Sequence, residues 1–408
     1  MERRAGLVVA GVISLTLVAC GPDAAHEATA RDLLFMRTTG GVALVETGAS
    51  APRFESASAE PAPDWRTVVK RDLEDSQTKL TAADPATGDT LWTRSLPGKL
   101  SVKVVSPGAR FVALAPGGRR YYSRPGHSRF TITGQNMSQA RTIDLQGNFE
   151  PEAFSTDGRS LFVVQYLPAA NPTHYQVRRL DLRSGKVRDV FSVDKELQES
   201  MRGTARVQEM SPDGKRLYTL YTVNTPHGAH SFIHVLSLDE LWAHCIDLPD
   251  DFAMGGDKKT ALGVSPDGER VYVADAYEGA LAEVDTERLR VVRTAPLDLT
   301  SAWAATDLIT SPDGTSLFVA SGRRVVAAST ADLTETSAWE MDDKVTGMQV
   351  GSDGNLLYVG LPGEVAVVDR AKGQVVRTLD PPGLGPIEQL GPVTRGLDPA
   401  RTEIVCGC

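Results

Sequence analysis

The chain has 408 residues, 41% hydrophobic and 23% charged but only 6% aromatic, with 37 glycines and 24 prolines; this is the make-up of a folded protein that turns often, and it excludes collagen, coiled coil and a polytopic membrane protein. Acidic residues outnumber basic ones 52 to 43, a net charge of −9, which argues against a nucleic-acid binder, because such a protein must neutralise phosphates. The bases are 32 Arg and 11 Lys, a skew that suggests GC-rich coding more than any site.

The chain opens with Arg3-Arg4, continues through an apolar run over 5–18 and reaches Leu17-Val18-Ala19-Cys20. That run falls short of the roughly 20 residues a spanning helix needs, so residues 1–19 are expected to be a removable export signal. The order of basic start, apolar run and Leu-x-Ala-Cys tetrad resembles bacterial lipoprotein signals. The resemblance implies cleavage before Cys20, a diacylglyceryl thioether on its sulfur and usually an acyl chain on the new amino group. Two or more chains suffice for stable anchoring, which puts the protein at a cell membrane, facing outside or a periplasm. An uncleaved anchor is the alternative. Residues 20–30 read as a lipidated tether and residues 31–408 as the folded domain. Loss of Glu2, Arg3 and Arg4 with the signal would leave a net charge of −10. Cys245, Cys406 and Cys408 cannot all pair internally, and the one-residue spacer of Cys406-Gly407-Cys408 is poor disulfide geometry.

A single phrase recurs through the folded domain. It is degenerate at Pro63-Asp64-Trp65 and Ser106-Pro107-Gly108, recognisable at Ser155-Thr156-Asp157-Gly158, and complete at Ser211-Pro212-Asp213-Gly214, Ser265-Pro266-Asp267-Gly268 and Ser311-Pro312-Asp313-Gly314. It weakens again to a copy beginning at Ser352 and to Leu397-Asp398-Pro399. Proline presets φ, aspartate bonds the turn backbone and glycine accepts positive φ, so each copy reverses the chain into a strand. A third strand follows and ends in its own turn, as at Asp181-Leu182-Arg183-Ser184-Gly185 and Asp369-Arg370-Ala371-Lys372-Gly373. A fourth comes next, such as 187–193 or 375–379. Asp181, Asp239, Asp285 and Asp369, like Asp213, Asp267 and Asp313, are therefore expected to cap backbone rather than to form a catalytic ring.

Units of four strands repeating about every 47 residues are propeller blades. The fold expected is all-β, a single β-propeller of four-stranded antiparallel blades, eight in number, with seven as the alternative. The first segment (33–54) lacks an opening strand and the tail (387–408) supplies one, so the two ends are expected to complete one blade and close the ring. Leu217-Tyr218, Val271-Tyr272-Val273-Ala274 and Leu357-Tyr358-Val359, each after its turn, resemble the YVTN-type and TolB-like, WD40-like propeller repeats. The blade holding Ala83-Asp84-Pro85-Ala86-Thr87-Gly88 and Trp92 resembles a quinoprotein-type repeat.

Three neighbouring blades carry long connections between second and third strands, at 116–129, 167–175 and 223–231, where later blades have short ones such as Ser321-Gly322-Arg323. This raised sector holds Arg119, Arg120, Tyr121, Tyr122, Arg124, His127 and Arg129, then Tyr166, His174 and Tyr175, then Tyr221, His227 and His230. Arg and Tyr favour binding hot spots, so the sector is the expected partner-binding rim, with a protein or an anionic cell-wall glycan as partner. His227, His230 and His234 could gather a metal, but they occupy a loop and a strand that need not converge; no metal and no cofactor is expected. No phosphate loop, His-Glu-x-x-His or Gly-x-Ser-x-Gly motif occurs. The expected function is a non-catalytic binding or scaffolding module. A propeller-type enzyme, lactonase or quinoprotein dehydrogenase, is the alternative, and it would want several Trp-bearing blades, of the kind seen only near Trp92, or a central cluster of acids with His or Arg, neither of which is visible in the sequence.

Overall fold

In the computed structural model, the described residues are 32–49, 51–116, 126–192, 201–202, 204–225, 228–252, 260–299, 306–379, 383 and 385–395. The recurring phrase builds the hairpin expected of it. At Ser265 the backbone N–H donates to the Arg270 carbonyl at 2.9 Å, and the hydroxyl accepts from the Arg270 N–H at 2.9 Å. The same hydroxyl donates to Asp267 at 2.5 Å, whose carboxylate accepts from the Glu269 N–H at 2.9 Å. Gly268 closes the turn at φ 75°, a conformation that glycine adopts without strain. Ser155, Ser211 and Ser311 make the same pair of side-chain bonds. The third-strand aspartates cap as expected: Asp285 accepts from the N–H groups of Glu287 and Arg288, and Asp369 from those of Ala371 and Lys372.

Among the described residues eight sheets result, antiparallel except for one parallel edge pairing in the fifth, and they are numbered blades 1 to 8 in chain order. Blade 6 is representative, with strands Thr260–Val264, Arg270–Asp275, Ala280–Asp285 and Arg290–Pro296 in that spatial order. Its middle strands are buried on both faces and accordingly read as near-continuous apolar runs. Its outer strand alternates exposed and half-buried residues. Each interface between neighbouring blades holds its own apolar cluster: Tyr218 and Ile233 of blade 5 pack with Val271 and Val273 of blade 6, and Leu34 and Met36 of blade 1 with Tyr358 and Val367 of blade 8. Full burial of one such side chain contributes about 1.5–3 kcal/mol. Blade-to-blade contact therefore holds the ring.

Closure follows the sequence reading. Ile387–Arg395 pairs antiparallel with Asp32–Thr38, so blade 1 takes its innermost strand from the end of the chain and Asp32–Thr38, Gly41–Glu46 and Phe54–Ala57 from the beginning. Asp32, buried to 1% exposure, latches this blade to blade 8. Its carboxylate accepts from the Tyr358 hydroxyl at 2.8 Å, the Ser352 hydroxyl at 2.5 Å and the Ser352 N–H at 3.3 Å.

Three local expectations need correction. Ser352 does not occupy the serine slot of the repeat; Gly351 does, its N–H bonding the Leu356 carbonyl at 2.8 Å as Ser211 bonds Arg216. A Cβ on Gly351 would lie 3.0 Å from the Asp32 carboxylate, so the latch uses space that the missing side chain vacates. The run 187–193 is not one strand: Val187–Asp189 stays in blade 4, whereas Phe191–Ser192 crosses to pair parallel with Trp242–Asp247 of blade 5. In blade 5 the raised connection is largely strand, because Arg216–Thr225 and Gly228–Ser237 pair over ten residues each, their β-branched and aromatic side chains extending the ladder.

No helix among the described residues is long and apolar enough to cross a membrane.

Candidate functional site

The first strands of blades 2, 3 and 4 lie side by side, as do those of blades 5, 6, 7 and 8 with the closing strand, so first strands surround the axis. Pleating then points alternate side chains into a central lumen. Three cavities follow one another along it: one of about 700 Å³ at the mouth formed by the Ser-Pro-Asp-Gly turns, one of about 470 Å³ deeper, and one of about 310 Å³ against blades 3 to 5. The first two share Phe154, Glu209 and Met210, and the last two share Lys103, Glu152 and Gln208.

Carboxyls from blades 2, 4, 5 and 7 line this lumen, Glu60 of blade 2 being ion-paired with Arg37. Glu150 and Glu152 stand two apart on Asn148–Phe154 of blade 4, Glu209 on Thr204–Met210 of blade 5, and Asp307 on Thr306–Thr310 of blade 7. Glu152 accepts from the Gln208 amide at 2.6 Å, a bond from blade 5 to blade 4. Asp307 accepts from the Met348 N–H of blade 8 at 2.6 Å and from the Leu308 N–H at 3.0 Å. Enclosure by the wall disfavours charge on Glu152, Glu209 and Asp307. Burial, and then the charge of Glu150, raises the Glu152 carboxyl to about 7. Burial and the nearby Asp307 raise Glu209 to about 8. Burial raises Asp307 to about 6 against the pull of its two backbone donors.

The sequence does contain a signal for these acids: each precedes its blade's turn by no more than a few residues, and the strand entering that turn is the one that faces the axis. Charge along first strands, compared blade by blade, would have found them.

Above the lumen acids runs an aromatic series that joins blades 4 and 5. Tyr166 and Tyr175 are 6.2 Å apart between ring centroids, Tyr175 and Tyr221 5.5 Å, and Tyr221 stacks on Phe232 at 5.3 Å. His230 continues it to the exterior, 6.3 Å from Phe232. The Tyr166 hydroxyl donates to Glu150 at 3.1 Å. Burial, and then the charge of Glu152, pushes the Tyr221 phenol well up. His234, packed edge-on to Tyr221 at 6.3 Å, is buried; burial and then the neighbouring His244 lower it to about 4, so it is neutral at pH 7. No three His, Cys, Asp or Glu gather into a metal site among the described residues.

The expected rim is thus divided. Tyr166 and Tyr175 belong to the cavity wall, where they meet Tyr221; Tyr175 is also pinned by a two-way backbone bridge to Met201. His174 is half-buried, 3.1 Å from the Thr173 hydroxyl, and His230 is exposed at the top of a strand. His127 and Arg129 lie on the strand His127–Gly134, not in a loop, and Arg129 is ion-paired with Asp144 across the sheet at 2.9 Å. It is therefore no unpaired cation. Arg119, Arg120, Tyr121, Tyr122, Arg124 and His227 lie outside the described residues, as do Cys20, Cys406 and Cys408.

No known family profile matches the chain, and no curated protein sequence matches it. Among solved structures it is similar to apo AztD from Citrobacter koseri, at 11% identity over 89% of this chain and 97% of that one, with a TM-score of 0.55. It is also similar to a eukaryotic initiation factor, at 12% identity over 88% and 97% of the two chains, with a TM-score of 0.50. A third similarity, at 16% identity over 82% of this chain and 66% of the other, with a TM-score of 0.48, is to the dihydro-heme d1 dehydrogenase NirN in complex with DHE. The first two support the β-propeller and, at such identities, nothing finer.

Proposed function

We propose that the protein is exported, cut before Cys20 and held by lipid on that cysteine at a membrane, where it acts as a non-catalytic binding module. Its recognition surface is the raised sector of blades 3 to 5, and its partner is a protein or an anionic cell-wall glycan. The observation that carries this reading is the length of blade 5's central hairpin, ten residues per strand against six in blades 6 and 7. Six suffice to build a blade, and ordering the extra residues costs about 1–2 kcal/mol each in backbone entropy. Recognition gives that length a purpose.

The lumen acids are part of what an enzyme reading asks for, which is acids together with His or Arg. Yet Asp307 is engaged by backbone amides and Glu152 by an amide side chain, and among the described residues no histidine lines the three cavities. Binding is the better-supported reading.

Crosslinking on membranes tests it. Cys20→Ala should abolish lipid attachment, read as an altered mass and loss of detergent partitioning; unchanged mass and partitioning would refute the anchor. Arg119→Ser, Arg120→Ser and Arg124→Ser together should leave melting unchanged and abolish capture of the crosslinked partner, which in the parent weakens as salt rises. Undiminished capture with the same salt dependence would place recognition elsewhere.

A further inference from the structure

We propose that the mouth of the lumen, where the Ser-Pro-Asp-Gly turns meet, binds a neutral oligosaccharide, the indole of Trp65 taking the apolar face of one sugar ring and Glu209, Gln349 and Gln389 its hydroxyls. The cavity there is about 700 Å³, within the span of about 300–1,000 Å³ usual for ligand sites. These turns join first strands to second ones, whereas the raised connections join second strands to third. The mouth is therefore at the opposite end of the ring from the raised sector and lies beyond the recognition proposed there.

The first observation is a tryptophan in a glycine's place. Trp65 donates its N–H to the Ala62 carbonyl and Ala62 its own to the Thr67 carbonyl, both at 2.8 Å, as Gly214 bonds Ser211 and Ser211 bonds Arg216 in blade 5. At φ 56° Trp65 shares the left-handed backbone of Gly158, Gly214, Gly268 and Gly314, which lie at 67–75°. Glycine takes that conformation freely and a bulky residue does not, so the turn would form more easily without the indole. The ring has a definite seat. It lies 5.2 Å from the Phe35 ring of blade 1, and a Cβ on Gly391 of the closing strand would come within 2.5, 2.6 and 2.7 Å of three carbons of its six-membered ring. The indole thus rests on bare backbone, and both Trp65 and Gly391 line the cavity. Aromatic residues on the strands between blades need neither an unfavourable turn nor a glycine seat. The C–H groups on one face of a sugar ring pack on such a surface through apolar burial and weak C–H contacts.

The second observation is unfilled hydrogen-bonding capacity in the same cavity. Glu209 of blade 5, Gln349 of blade 8 and Gln389 of blade 1 line it, and none of the three side chains is hydrogen-bonded to a described residue. Asp307, also in the wall, by contrast accepts two backbone N–H groups. Burial and the nearby Asp307 keep the proton on Glu209 to about 8, so at pH 7 it donates as well as accepts, as the two amides do. Groups that do both match hydroxyls, which also do both; a cation asks for acceptors alone and a phosphate for donors alone. Blade 5 lies across the axis from blades 8 and 1. The three groups therefore reach around a ligand instead of meeting one edge of it, as the hydroxyls around a sugar ring require.

Titration calorimetry on the full-length chain in a sugar-free detergent tests the proposal, with cellobiose, maltose, lactose and diacetylchitobiose as probes and sorbitol and caffeine as controls. Sorbitol has the hydroxyls without a ring face, and caffeine a flat ring without hydroxyls. The best disaccharide should bind more tightly than either control by about tenfold or more. Trp65→Gly gives the turn its usual residue and should weaken that sugar by about tenfold, with Trp65→Phe weakening it less. Gln349→Ala should also weaken it. Melting curves of each variant report on folding, and should Trp65→Gly fail to fold, Gln349→Ala and the affinity ratios of the parent protein decide. No disaccharide binding at about 10 mM, a control that binds as tightly as the best sugar, or full sugar affinity in a folded Trp65→Gly would overturn the proposal. Such a failure leaves the anchor and the raised sector untouched, since neither uses this mouth.

Discussion

Replacing Asp32 with alanine should destabilise the whole ring, though the residue lies at the start of a terminal strand. Its carboxylate is the acceptor for a fully buried phenol, Tyr358, and for the hydroxyl and N–H of Ser352. Hydrogen bonds to a charged group are worth about 1.5–3 kcal/mol, and a buried donor left without an acceptor costs about 1–3 kcal/mol. Two good donors are orphaned here, so the expected loss is about 3–5 kcal/mol. Tyr358→Phe removes one of the same bonds and leaves the ring in place, and should cost about 1–2 kcal/mol. Because the two residues are in contact, the double variant should lose less than the sum of the singles. Urea titrations of the four proteins, followed by tyrosine and tryptophan fluorescence, give the cycle. A loss under about 1 kcal/mol for Asp32→Ala, or additivity within about 0.3 kcal/mol, would refute the latch.

Deleting residues 384–408 removes the innermost strand of blade 1 and uncovers Leu34 and Met36, so melting should shift for the whole domain; an unchanged cooperative transition would show that the tail is dispensable. The lumen carboxyls impose a pH dependence of known sign. Glu209 and Glu152 hold protons in the folded chain up to about 8 and 7, which the unfolded chain releases near 4.3. Their contribution is full below about 4 and lost as pH rises through 7 to 8, so stability should fall from pH 5 to pH 8 and fall less steeply in Glu209→Gln. Denaturation midpoints at those two pH values, in parent and variant, measure the difference.

Blade number and closure are legible in the sequence because the signal is local: a proline, an aspartate and a glycine within four residues determine a turn wherever they fall. The same locality makes the aspartates readable as caps. The Asp32 latch is invisible there because its partners are 320 and 326 residues away and its slot is marked only by a glycine where the repeat has serine. Tyr166 and Tyr175 stand out in the sequence but read as surface residues, since strand alternation does not reveal which face of a blade its neighbour covers. The lumen acids escape notice for a different reason: each is an ordinary charged residue on its own strand, and only the ring brings Gln208 to Glu152 and Asp307 towards Glu209.

That Ile387–Arg395 is the strand beside Asp32–Thr38 has a consequence for synthesis. Until Ile387–Arg395 emerges, blade 1 shows an open edge towards the axis. A chain broken off early by a stop codon or a stalled ribosome is thus left as an unsealed arc, presenting bare strand to any protease or chaperone that surveys nascent proteins. The ring seal works as a check on synthesis, since only a chain made through Ile387–Arg395 can hide that edge.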